Sequence, residues 1–157
     1  VGKSGGKVLG FSGKHYKSLD SKGRVIVPAP FREILSLSNS SKLIITNDVF
    51  DKCLCAYAAD EWQKLIDRAN ELPQTSDAVK FYMRRVIGSA IESEVDKQGR
   101  VLVAPALRVD AALNSEIVLL GLGNRIEVWD RSELEGMADP ARIDKKTIKE
   151  ELAALGL

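Results

Sequence analysis

The chain has 157 residues, 45% hydrophobic and 29% charged, with a formal net charge of +1. That length and balance fit one globular domain or two small ones and exclude a low-complexity or disordered chain. The longest apolar runs, such as Leu43–Ile45 and Ile117–Leu120, fall far short of the roughly 20 residues of a membrane span, so no membrane partner is expected.

The charge is unevenly spread. Residues 1–32 carry Lys3, Lys7, Lys14, Lys17, Lys22, Arg24 and Arg32 against Asp20 alone. Residues 90–134 carry more acids than bases, with Glu92, Glu94 and Asp96 close together. A basic first part suits a polyanionic partner.

Residues 1–10 read as a flexible tail, rich in Gly, Lys and Ser and without apolar period. They begin at Val1 and lack the apolar core of a signal peptide. His15–Leu19 reads as a strand, Asp20–Gly23 as a turn and Arg24–Val27 as the hairpin partner. Asp20 can accept a hydrogen bond from the backbone two residues on, and Gly23 tolerates the left-handed conformation. Pro30 suits the first turn of a helix carrying Phe31, Ile34 and Leu35. After a loop at Asn39–Ser41, Lys42–Thr46 and Cys53–Tyr57 read as strands. Asp60 then resembles an N-cap for a helix with Trp62, Leu65, Ile66 and Ala69. Pro73 breaks it, and Ser76 caps a further helix ending near Gly88.

The pattern then restarts. Ile91–Val95 is a strand, Asp96–Gly99 a turn and Arg100–Val103 the return strand. Ala106–Leu113 is a short helix, and Glu116–Leu120 with Arg125–Trp129 forms a hairpin. The tail from Pro140 reads as a short helix or as disordered. Asp20-Ser21-Lys22-Gly23-Arg24-Val25 and Asp96-Lys97-Gln98-Gly99-Arg100-Val101 are therefore two copies of one turn, followed by the matched Arg32 and Arg108. Units this small have marginal cores, which argues for mutual burial of the two as a pseudo-twofold α+β pair.

With these residues the chain resembles the MraZ family of bacterial proteins. Besides the doubled turn, the matches are Phe11-x-Gly13, Cys53-Leu54 to Tyr57, Glu61-Trp62, Gly88-x-Ala90 and Ile126-Glu127-Val128-Trp129. The resemblance spans residues 11–134 and implies a fold, the duplicated swapped-hairpin β-barrel shared with AbrB-type regulators (SpoVT-AbrB-like), with short helices. It divides the chain into a first half at 11–62, a helical connector at 63–89, a second half at 90–134 and a C-terminal tail at 135–157. It further implies a transcriptional regulator that assembles into rings, associates with the nucleoid in the cytoplasm, and binds short DNA repeats upstream of a division and cell-wall gene cluster. The ten residues before Phe11 depart from the family pattern.

The expected double-stranded-DNA contacts are Arg24, Lys22, Lys17 and Lys14, because phosphate neutralisation relies on Lys and Arg. Asp20, Gly23, Asp96, Gly99 and Arg100 form the structural signature. Arg100 is expected mainly to complete the fold, since Glu92 and Glu94 lie beside it in sequence. His15, without a partner motif, reads as a surface or DNA-edge residue. Cys53 and Cys55 are too close for an unstrained disulfide, fit a reducing cytosol, share one strand face and lack two more ligands for a structural zinc; they read as small packing residues. Trp62 and Trp129 read as core or subunit-contact anchors, and Arg84 and Arg85 as partners for acids at such a contact.

No nucleophile elbow or zinc-binding His pair is present. Asp20 and Asp96 could be imagined as a glycosidase pair, but each precedes a turn Gly and an Arg. No catalysis, cofactor or small-molecule substrate is expected. The competing expectation is a ring-forming interaction scaffold that does not bind DNA.

Overall fold

The computed structural model describes residues 3–4, 7–8, 10–38 and 40–157. In the N-terminal segment, β1 (Lys3–Ser4) pairs antiparallel with β2 (Lys7–Val8). The remainder of the expected tail, residues 1–2, 5–6 and 9, lies outside the described residues, as does Asn39 of the expected loop. The first repeat continues with β3 (Phe11–Ser18), β4 (Arg24–Ile26), α1 (Ala29–Leu37), β5 (Lys42–Asn47) and β6 (Leu54–Ala58). Then come α2 (Ala59–Asn70), α3 (Asp77–Arg85) and a 3-10 turn at Ile87–Ser89. The second repeat holds β7 (Ile91–Glu94), β8 (Arg100–Leu102), α4 (Pro105–Asp110), β9 (Glu116–Gly123) and β10 (Ile126–Asp130). The chain closes with α5 (Arg131–Met137) and α6 (Lys145–Ala154).

The strand partners differ from the sequence expectation. The hairpin expected between residues 15–19 and 24–27 does not form as a ladder. β3 pairs instead with β9 of the other repeat, and β4 with β8. The same exchange occurs in reverse, β7 pairing with β5. The result is a six-stranded antiparallel sheet in the order β3-β9-β10-β6-β5-β7 and a separate two-stranded ribbon, β4·β8. No closed barrel is found among the described strands. The turn itself is as expected, with Gly23 N–H donating to Asp20 O at 3.0 Å and Asp20 N–H to Arg24 O at 2.9 Å. Beyond it the two strands part: β3 runs along the full length of β9, while β4 pairs with β8 and turns Val25 and Val27 into the core.

The exchange is symmetric. Val25 lies opposite Val101 at the centre of the ribbon. Val27 N–H donates to Gly99 O at 2.8 Å, and Val103 N–H to Gly23 O at 2.9 Å. Cys55 lies opposite Glu127 at the centre of the sheet.

The main core lies between the ribbon and one sheet face. Val25, Val27, Val101 and Val103 meet Leu54, Ile117 and Leu119 there, with Phe31 and Leu35 of α1 and Leu107 of α4. Phe31 is fully buried, which stabilises by about 1.5–3 kcal/mol for a residue of this kind. Pro30 does sit in the first turn of α1. The opposite sheet face is also covered. Ile44, Tyr57 and Val86 pack with Trp62 of α2, while Val118 and Trp129 pack with Leu134 of α5. Both tryptophans are thus core anchors. Coverage on both faces explains why every residue of β6 is apolar and buried.

Two helix starts test the capping expectations. Ser76 caps α3, accepting from Val79 N–H at 3.4 Å. Asp60 does not cap α2: the N-cap is Ala58, without a side-chain bond. Asp60 falls inside the first turn, where its charge favours the positive helix end. The C-terminal segment, read as short helix or disorder, forms α6.

The edge pairing of β3 depends on Gly121, whose added Cβ would lie 2.5 Å from the backbone nitrogen of Ser12. Gly121→Ala is expected to lower stability by about 1–3 kcal/mol in urea unfolding. A value indistinguishable from the parent protein would contradict the β3·β9 pairing.

Candidate nucleic-acid interface

Each turn is organised by its aspartate. Asp20 Oδ1 accepts the backbone N–H groups of Lys22 and Arg24, both at 2.9 Å, and Oδ2 accepts Arg24 Nε at 2.7 Å. Asp96 repeats this with Gln98, Arg100 and Arg100 Nε, each at 2.9 Å. The Arg24 N–H, helped by its guanidinium, holds the Asp20 carboxyl down at about 2. Asp96 is lowered in the same way, first by the Arg100 N–H. Both are ionised structural acids.

Gly23 and Gly99 adopt φ of 85° and 79°, conformations that L side chains disfavour. Each is also covered by the opposite repeat. A Cβ on Gly23 would meet Arg108 Cζ at 2.6 Å, and one on Gly99 would meet Arg32 Nη1 at 2.9 Å. The matched Arg32 and Arg108 therefore sit over the other repeat's turn. Their role was invisible in sequence, although their repetition was not.

Strand alternation sets the faces of the ribbon. Val25 and Val101 point into the core, leaving Arg24, Ile26, Arg100 and Leu102 outward. Arg24 lies opposite Leu102, and Ile26 opposite Arg100. Both arginines thus share one face as diagonal neighbours, with half-exposed Ile26 and Leu102 between them. Arg24 uses Nε for Asp20, and neither of its Nη groups has a hydrogen-bond partner among the described residues. Alternation along the sequence already places Ile26 with Arg24; the β4·β8 pairing adds Leu102.

The strands beside the ribbon divide the expected cations between two faces. In β7, Ser93 Oγ donates to Leu102 O at 2.9 Å, so Ser93 faces the ribbon. Glu92 and Glu94 alternate away, Glu92 pairing with Lys42 at 3.3 Å and Glu94 accepting from Ser41 at 3.0 Å. The acids expected to oppose an anion at Arg100 are therefore turned from the ribbon face. Lys17 is the counterpart of Ser93 in β3 and shares its ribbon-side face. Lys14 lies on the other face, opposite Leu120 in register, with Tyr16, over whose ring Arg131 stacks at 4.4 Å. Lys14 thus lies on the opposite face of β3 from Lys17, while Lys22 is in the turn before Arg24. Lys97, the counterpart of Ser21, is exposed in the second turn. His15 is half-buried, its ring packing edge-on against Phe31, 4.9 Å between centroids. Arg85 donates to the carbonyls of Asp48 and Asp51 rather than to an acid.

The profile described as "MraZ protein, putative antitoxin-like" matches residues 11–82 and again residues 86–154. The chain belongs to the MraZ family. A relative from Acetivibrio thermocellus, named Transcriptional regulator MraZ, is 39% identical over 147 residues, covering 94% of this chain and 99% of the relative. The solution structure of PHS018 from Pyrococcus horikoshii covers 75% of the chain and 97% of that protein, at 15% identity and a TM-score of 0.33. Each of the two MraZ profile matches contains one of the two exchanged repeats. No described helix is long and apolar enough to cross a membrane.

The depressed carboxyls set a pH signature. A carboxyl lowered on folding contributes stability that is full above its unfolded value, about 3.9, and lost as pH falls through the folded one. The Asp20→Asn, Asp96→Asn double variant is expected to lower the melting temperature at neutral pH. It should also flatten the fall in melting temperature between pH about 4 and 2. An unchanged slope in that window would contradict the turn assignment.

Proposed function

We propose that this MraZ-family chain is a sequence-specific, double-stranded-DNA-binding transcriptional regulator that reads DNA with the outer face of the β4·β8 ribbon. The observation that carries this reading is the pairing of Arg24 and Arg100 on one pseudo-twofold face, each oriented through Nε by its own aspartate. A two-stranded ribbon fits the major groove, where Arg can meet a guanine edge in a bidentate manner. Lys17, Lys22 and Lys97 supply phosphate contacts that orient the ribbon without reading sequence. Ile26 and Leu102 offer apolar contact of the kind a thymine methyl accepts. The relative's name, Transcriptional regulator MraZ, supports the regulatory role.

In this reading the exchanged strands are a swapped-hairpin architecture of AbrB type, with halves at 11–62 and 90–134 joined by the connector at 63–89. The chain acts in the cytoplasm at the nucleoid, on repeated sites upstream of a division and cell-wall gene cluster. A ring of copies presents several ribbons to successive repeats, raising avidity through effective concentration.

A gel-shift titration on such upstream DNA tests the proposal. Arg24→Ala is expected to abolish specific binding while the oligomer persists in size-exclusion chromatography. Because Arg100 shares the face, Arg100→Ala should weaken binding by about tenfold or more, as loss of one bidentate base contact does. Lys14→Ala should change affinity by no more than about twofold, the scale of a residue outside the contact. Loss with Arg100→Ala but not Arg24→Ala would overturn the assignment of Arg24. Absent binding at low salt with an intact oligomer would favour a scaffold without DNA.

A further inference from the structure

On the sheet face opposite the ribbon, where the two repeats meet, polar and sulfur groups gather between two apolar clusters. Cys55 and Glu127 are direct cross-strand partners of β6 and β10. Cys53 precedes β6 on the same face, and Asp48 comes from the turn between β5 and β6. Cys55 Sγ donates to Asp48 Oδ1 at 3.4 Å. The donor atoms of Asp48, Cys53 and Glu127 all lie within 4.8 Å of one another. Cys53, Cys55 and Glu127 are respectively 1%, 3% and 8% exposed, so ligation would occur in a dry site. The sequence offered only two of these four donors; the fold brings Asp48 and Glu127 to them.

We propose that Asp48, Cys53, Cys55 and Glu127 form a binding site for one thiophilic divalent cation of the zinc class. Two sulfurs and two carboxylate oxygens make a four-donor set suited to tetrahedral coordination. Zn–S and Zn–O bonds of about 2.3 and 2.0–2.2 Å place tetrahedral donors some 3.3–3.8 Å apart. Asp48, Cys53 and Glu127 would close on an ion by contractions of about 1–1.5 Å at most, while Cys55, outside that three-residue group but 3.4 Å from Asp48, would complete the set by a rotamer change. Glu127 is already oriented from behind: Trp129 Nε1 donates to Oε1 at 2.8 Å and Arg125 Nη2 lies 3.4 Å from Oε2. Such outer hydrogen bonds fix metal ligands. The bound ion would clamp the first repeat's turn to the second repeat's β10.

The test uses the full chain, reduced and freed of metal with a chelator, titrated with Cd²⁺ as a spectroscopic stand-in for zinc. The expected result is a saturable ultraviolet thiolate-to-metal band at one ion per chain, displaced by Zn²⁺, with a rise in melting temperature. Cys53→Ser should remove most of the band. Glu127→Gln and Asp48→Asn, which preserve shape and add no charge, should weaken binding by about tenfold or more while circular dichroism is unchanged. Absence of a saturable band, or affinity unchanged in both carboxylate variants, would overturn the site and leave the seam a hydrogen-bonded core feature.

Discussion

Two backbone hydrogen bonds tie the repeats together at their tightest point: Val27 N–H to Gly99 O and Val103 N–H to Gly23 O. Each joins one repeat's ribbon strand to the other repeat's turn. The glycine at each turn must be a glycine twice over, for its positive φ and for the arginine laid across it from the opposite repeat. Neither turn is therefore a local feature. Its backbone is finished by the other half of the chain, and the ribbon exists only where both are present.

From that constraint the rest of the architecture follows. With β4 held against β8, β3 and β7 are free of their expected hairpin partners and add to the opposite repeat's strands at the two edges of the sheet. The four ribbon valines face the sheet and close the central core, with Phe31 and Leu107 at its ends. What remains outward on the ribbon is two arginines, an isoleucine and a leucine. Small half-units with marginal cores thus obtain a shared one, and the shared element is also the one the proposed function uses.

Much of this was legible in the sequence. The doubled Asp-x-x-Gly-Arg turn, the helix after Pro30, the Ser76 cap and the strands at 42–46 and 53–57 follow from local chemistry and periodicity. The partner of each strand did not. A tight turn between two apolar runs predicts their pairing with each other, and only non-local packing diverts β3 to β9. The candidate site was read with the same bias. Charge counted along the chain put Lys14 with Lys17 and set Glu92 and Glu94 against Arg100. Alternation across β3 and β7 sends Lys14, Glu92 and Glu94 to the other face. His15 has polar chemistry and an aromatic neighbour that sequence cannot place, Phe31. The seam of Asp48, Cys53, Cys55 and Glu127 is likewise a product of β6 meeting β10, two strands from different repeats.

The outer face of β4·β8 is the proposed surface for DNA. Photocrosslinking measures that directly. A photoreactive amino acid is placed in turn at Ile26, Leu102 and Tyr16, and the protein is irradiated with DNA from upstream of its own gene. Adducts from Ile26 and Leu102 and none from Tyr16, on the far sheet face, are predicted. Adducts from Tyr16 with none from the ribbon positions would contradict the account.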